Sequence, residues 1–142
     1  MLYGAAAADA EMRTDRRDAF RAWAFDGEKT PPVGLGDLLL VSAGPGYLAS
    51  AAVLVDIAHK AGARTALVTA QPGGELAKRV DVVTVVPAQT MANDQGANLS
   101  VLPMGSLFET AQMIFFELVI LKLRPRFRET SETMRARHTN LE

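Results

Sequence analysis

The chain has 142 residues, the size of one domain, so two are not expected, and its 49% hydrophobic and 22% charged residues exclude a disordered or collagen-like polymer. Fifteen Lys and Arg against sixteen Asp and Glu exclude a nucleic-acid footprint spread over the whole surface. The absence of cysteine excludes disulfides, thiolate metal sites and a cysteine nucleophile, and two histidines, His59 and His138, are too few for a three-histidine zinc centre.

The opening MLYGAAAADA has no basic region before its apolar residues, so no secretory leader is expected. Residues 5–25 are rich in Ala and Arg, lack Pro, and carry Met12, Phe20 and Trp23 near helical spacing, which predicts a helix. Its four arginines alternate with Asp9, Glu11, Asp15 and Asp18, the pattern of a solvated face. The stretch GEKTPPVGLGD that follows cannot continue a helix and reads as a linker.

Three short apolar runs come next, at residues 37–42, 64–70 and 81–86, rich in Leu or β-branched residues and without polar alternation. Strands buried on both faces of a parallel sheet have this composition. Between the first two, YLASAAVLVDIAHKAG predicts a helix closed by Gly62, which makes a βαβ unit. GGELAKR supplies a brief helix in the second crossover. A longer loop then leads to a helix over residues 107–123, stopped by Pro125, and a last short helix over 131–137. The helix at 107–123 is apolar all round and interrupted only by charges such as Glu117 and Lys122, too short to span a membrane. It should be buried, with a subunit interface as its cover.

Chemistry points to two places. The run Ser42-Ala43-Gly44-Pro45-Gly46-Tyr47 turns from a strand's carboxyl end straight into a helix, which gathers backbone amides and the positive end of the helix dipole at one point. Gly44, Gly46 and Ala49 satisfy G-x-G-x-x-A, yet the next strand ends Thr69-Ala70-Gln71 without the acid that a dinucleotide ribose needs, so a nicotinamide cofactor is disfavoured. The second place is Ser106-Leu107-Phe108-Glu109, a capping-box pattern. Glu109 either satisfies backbone amides there or, poorly hydrated beside Leu107 and Phe108, serves as a general base. His59 shares a polar helix face with Asp56 and Lys60, as a surface histidine does. His138 is either a cationic tip or part of a tail that folds over a ligand. Residues 122–142 carry six basic side chains against three acidic ones, a charge that suits a helix end or an anionic ligand.

From about residue 30 the chain resembles the sugar-isomerase (SIS) domain family, and within it the 6-phospho-3-hexuloisomerase-like branch. The motifs are TPPVGLGDLLLVSAGPG, LVTAQP, DVVTVVPAQT, VLPMGSLFE and the terminal RARHTNLE. The resemblance implies an α/β fold, a parallel sheet flanked by helices in three layers, without cofactor or metal. It implies a homo-oligomer, dimer or tetramer, that converts 3-hexulose 6-phosphate to fructose 6-phosphate through an enediol. Carried over, Glu109 would be the base, His138 would complete a neighbouring subunit's site, and Ser42, Gly44, Gly46 and Tyr47 would hold the phosphate. The family's loop reads Ser-Gly-Ser-Gly-x-Thr. Set on Ser42, it puts Gly44 and Tyr47 where the second Ser and the Thr stand, so two hydroxyl donors are missing. The family also begins with a strand, a Gly-Arg-Ser turn, a helix and a second strand, none of which residues 1–29 contain. Residues 30–142 are therefore expected to form a partial SIS domain lacking the first βαβ part, with residues 1–29 an unrelated helical extension and the strand at 37–42 left as an edge. Two functions follow: a sugar-phosphate isomerase impaired by its loop, or a non-catalytic sugar-phosphate-binding module acting through assembly. The expected partner is a phosphorylated sugar, with no nucleic acid and no membrane, and the expected location is the cytoplasm, an organelle being left open.

Overall fold

A computed structural model describes residues 5–6, 32–93 and 100–136. The three apolar runs form β2 (Leu38–Ser42), β3 (Arg64–Thr69) and β4 (Val82–Val85), paired parallel in the order β2-β3-β4. Their side chains alternate across the sheet, as the strand period of two requires. Leu39, Val41 and Leu67 pack with α1 (Ala49–Lys60) on one face, while Leu40 and Val68 pack with Phe108 of α2 (Ser106–Arg126) on the other. The result is the three-layer α/β arrangement, with helices on both faces of a parallel sheet. The buried residues of α1 are Ala51, Ala52, Val55 and Ala58, small enough for the helix to lie close on the strands. Gly62 ends α1 in a left-handed conformation, φ 79°, and its amide and that of Ala63 donate to the carbonyls of His59 and Ala58, both at 3.0 Å.

The helix expected over residues 5–25 is not found where the chain is described. Ala5–Ala6 form a two-residue strand, β1, antiparallel to β2 with Ala5 opposite Leu39 and Ala6 opposite Leu38, and residues 7–25 lie outside the described residues. The outer side of β2, expected to be bare, is thus paired at its first two residues. The brief helix of the second crossover is a single 3₁₀ turn, Leu76–Lys78, and the last helix, α3, covers Ser131–Ala136.

Pro125 does not stop α2; it lies inside the final turn. A proline there removes one amide, and the turn is closed downstream. The amides of Arg128 and Glu129 donate to the carbonyls of Pro125 (3.2 Å) and Arg124 (2.9 Å), with Arg128 in the left-handed region at φ 55°. Nor is α2 buried within this chain. Only Phe108 and Gln112 are, while Met113, Ile114, Leu118 and Leu121 are each more than half exposed. No helix among the described residues is long and apolar enough to cross a membrane.

At the amino end of the sheet, Thr65 is the centre of a polar knot. Its amide (2.7 Å) and hydroxyl (2.9 Å) donate to Asp81 Oδ2, and the hydroxyl accepts from the Asp81 amide at 3.1 Å. These bonds hold the Asp81 carboxyl below the usual carboxylate range. His59 Nε2 lies 2.9 Å from the same hydroxyl. Since the single hydroxyl proton goes to Asp81, Nε2 must carry the hydrogen in that contact. His59 is therefore a fastener of α1 to β3, on the opposite end of the sheet from the loop after β2.

Candidate functional site

The carboxyl ends of β2, β3 and β4 meet the first turns of α1 and α2. The loop of residues 43–47 is held by its own backbone. The Gly46 amide donates to the Ala43 carbonyl at 2.9 Å, closing a tight turn. The Gly44 carbonyl accepts from the Ala70 amide (3.2 Å) and Thr69 Oγ1 (3.3 Å), and the Gly46 carbonyl accepts from the Leu76 amide at 3.2 Å. The loop's glycines both stand at close approaches. Gly46 has φ 83°, and a Cβ on it would stand 2.9 Å from Cβ of Gln71. A Cβ on Gly44 would stand 2.7 Å from the Phe108 ring. A serine at position 44 would require the Phe108 ring to move, which favours a setting of the family loop that puts a glycine there over the one that starts on Ser42.

The other expected loop residues fall out as follows. Ser42 is buried and its hydroxyl donates to Oε1 of Gln112 in α2. The Gly46 amide is committed to the turn. Tyr47 is exposed, and α1 begins two residues later, with Leu48 as an extended N-cap that makes no side-chain cap bond. The amides of Ala49, Ser50 and Ala51, in the first turn of α1, have no acceptor within the helix. They are the donors that an anion at this corner would meet.

The capping box at Ser106 does not form. Gly105 is the N-cap, in the left-handed region at φ 75°, and Ser106 is the first helical residue. Gly105 occupies that position because a Cβ there would lie 3.0 Å from the Met91 amide nitrogen, so the glycine lets α2 start hard against the segment after β4. Glu109 stands in the first turn with its amide on the Gly105 carbonyl at 3.3 Å. It is exposed, so this chain alone does not give it the poorly hydrated setting expected beside Leu107 and Phe108. His138 lies outside the described residues.

Two buried amide side chains were not among the expected residues. Gln112 is 1% exposed. Its signal was in the sequence, since Gln112 follows Phe108 by four and is a polar break on the face of α2 that meets the sheet. Gln89, in the segment after β4, is 5% exposed, and its Oε1 has no hydrogen-bond partner. Next to it, Thr90 is fastened to Asn93 by its amide (2.7 Å) and hydroxyl (3.0 Å).

No protein-family model matches the chain. It is 35% identical over 116 residues to a 3-hexulose-6-phosphate isomerase of Bacillus subtilis, an alignment that covers 80% of this chain and 61% of that protein. It is 37% identical over 113 residues to a 3-hexulose-6-phosphate isomerase of Mycobacterium gastri, covering 80% and 56%. Among solved structures, a Methanococcus jannaschii protein, whose crystal structure was taken to infer a molecular function of 3-hexulose-6-phosphate isomerase, superposes with a TM-score of 0.72 at 23% identity, over 87% of this chain and 64% of that one. At that identity the superposition shows the shared fold. Over four fifths of its length the chain is a relative of the 3-hexulose-6-phosphate isomerases, and it spans about three fifths of theirs.

Proposed function

We propose that the chain is a sugar-phosphate isomerase acting on 3-hexulose 6-phosphate. In this reading Glu109 removes the proton from C2 of the 3-ketose as the C3 oxygen takes up a proton, giving the 2,3-enediol; the carbon-bound proton then returns to C3 as the C2 hydroxyl gives up its own, leaving the carbonyl at C2 of fructose 6-phosphate. His138 of a neighbouring subunit completes the site. The observation that carries the reading is the contact of the Phe108 ring with Gly44, which sets the turn bearing Glu109 against the loop after β2. Since Gly46 has a positive φ and Gly44 lies against the Phe108 ring, the family's two glycines are set on 44 and 46, and Ser-Gly-Ser-Gly-x-Thr falls on residues 43–48. Ala43, Pro45 and Leu48 then stand at its hydroxyl positions. Phosphate is left to the first-turn amides of α1, and its grip is weak.

A second reading, a sugar-phosphate-binding module without turnover, draws on the same apolar triplet and on the exposure of Glu109. Calorimetry and turnover of fructose 6-phosphate at fixed ionic strength separate the two. Hydrogen bonds to charged groups contribute about 1.5–3 kcal/mol each, so Pro45→Ser with Leu48→Thr is expected to tighten binding by about two to four orders of magnitude. Turnover by the unmodified chain supports the isomerase, and binding without turnover supports the module. If the double variant binds no better than the unmodified chain, residues 43–48 are not a phosphate loop.

A further inference from the structure

The helix α2 has twenty-one residues and only two of them are buried, Phe108 and Gln112, four apart and therefore one above the other on one face. Both bear on the same three-residue stretch. The Phe108 ring lies where a side chain on residue 44 would be, and the Gln112 amide takes the Ser42 hydroxyl. Around Phe108 the packing is apolar, with Val68, Val86, Leu40, Phe115 and Phe116. Gln112 is 1% exposed, so its polar side chain depends on its hydrogen bond, and a leucine would leave the buried Ser42 hydroxyl without that partner. Ring packing alone leaves a helix free to slide or rotate slightly, because dispersion contacts have little directional preference. A hydrogen bond between Ser42 and Gln112 has one length and one direction, and so sets the axial position and rotation of α2 on the loop. Glu109 lies one position after Phe108 and three before Gln112, so whatever fixes those two fixes where its carboxylate stands.

We infer that Gln112 is a positioning residue, which through Ser42 locks the register of α2 against the loop after β2 and thereby places Glu109 over it. The inference rests on the isomerase reading for its consequence in turnover, but the lock itself is a property of the protein without ligand.

The test uses the full chain with Gln112→Leu, Ser42→Ala and the pair together. Each is read by kcat and KM for 3-hexulose 6-phosphate, by the thermal midpoint, and by amide hydrogen exchange over residues 43–48. Gln112→Leu is expected to lower kcat by about 10- to 100-fold, the effect of an ångström-scale misplacement, with KM within about twofold. Its midpoint is expected to fall, because the buried Ser42 hydroxyl loses its partner, and to recover in the double variant, where both polar groups are gone, while kcat stays low, which a merely structural contribution of Gln112 would not give. The loop amides are expected to exchange about tenfold faster. The double variant should be no slower than the slower single, as two halves of one lock require. Unchanged kcat together with unchanged exchange in both singles overturns the inference. If the unmodified chain turns over no sugar, the isomerase reading fails and exchange alone decides: a loop that exchanges as before in Gln112→Leu sinks the lock, and faster exchange sustains it. Should Gln112→Leu not fold, Ser42→Ala gives the same readings from the other side of the bond.

Discussion

Glu109 and Ser106 separate chemistry from helix termination more cleanly than their spacing suggests. With Gly105 as N-cap, neither side chain makes a cap bond. Ser106→Ala is therefore expected to change stability by less than about 0.5 kcal/mol in a urea titration, where a lost cap would take roughly 0.5–2 kcal/mol. Glu109→Gln should likewise stay within about 1 kcal/mol while removing isomerase turnover, and unchanged turnover would take Glu109 out of the reaction. Asp81 acts at the other end of the sheet. Its two bonds from Thr65 favour the charged carboxylate in the folded protein, so its folded pKa lies below its unfolded one. The stabilisation is then complete above the unfolded value, about 4, and is lost as pH falls through the folded value. Urea midpoints followed from pH 6 down to pH 2.5 should drop more steeply for the unmodified chain than for Asp81→Asn. Parallel curves would show that Asp81 does not contribute.

Helices and strands differ in how openly the sequence declares them. The β2 and β3 runs were legible because strands buried in a parallel sheet need uninterrupted apolar residues, and Gly62 was legible as a stop because only glycine enters the left-handed region without strain. The β4 run has the same composition and does form a strand, but the burial expected on both its faces is not met, since it is the last strand of the sheet and Val82, Val83 and Val85 are exposed. The end of α2 was not, because Pro125 is a strong local signal that a downstream pair of hydrogen bonds overrides. That closure puts an arginine where glycine is preferred. Arg128→Gly is expected to stabilise the protein by about 0.5–1 kcal/mol, measured by denaturant titration, and a loss of stability would mean that the Arg128 side chain holds α2 in another way. In the site, the Gly44 and Gly46 turn was visible as a place of close backbone approach. What occupies the approach was not, since the Phe108 ring and the Gln112 amide come from more than sixty residues away and no local pattern couples them to the loop.

At the scale of the molecule the surface is unfinished. Met113, Ile114, Leu118 and Leu121 on α2 and Val82 and Val85 on β4 stand exposed, in amounts that an isolated domain seldom leaves to water. The chain is expected to sediment as a dimer or larger at low micromolar concentration, and a well-behaved monomer there would refute assembly through α2. The order in which contacts can close has a further effect. Ala66 pairs with Val82, 16 residues on, and Leu38 with Arg64, 26 residues on, so the β3–β4 pairing has the smaller loop entropy by about 0.4 kcal/mol. Ser42 must wait for Gln112, 70 residues later. A chain leaving the ribosome can therefore build and pair its parallel strands first, and its site corner only after most of the polypeptide has emerged. During that interval the loop after β2 is present with α1 behind it, but α2 is not yet against it.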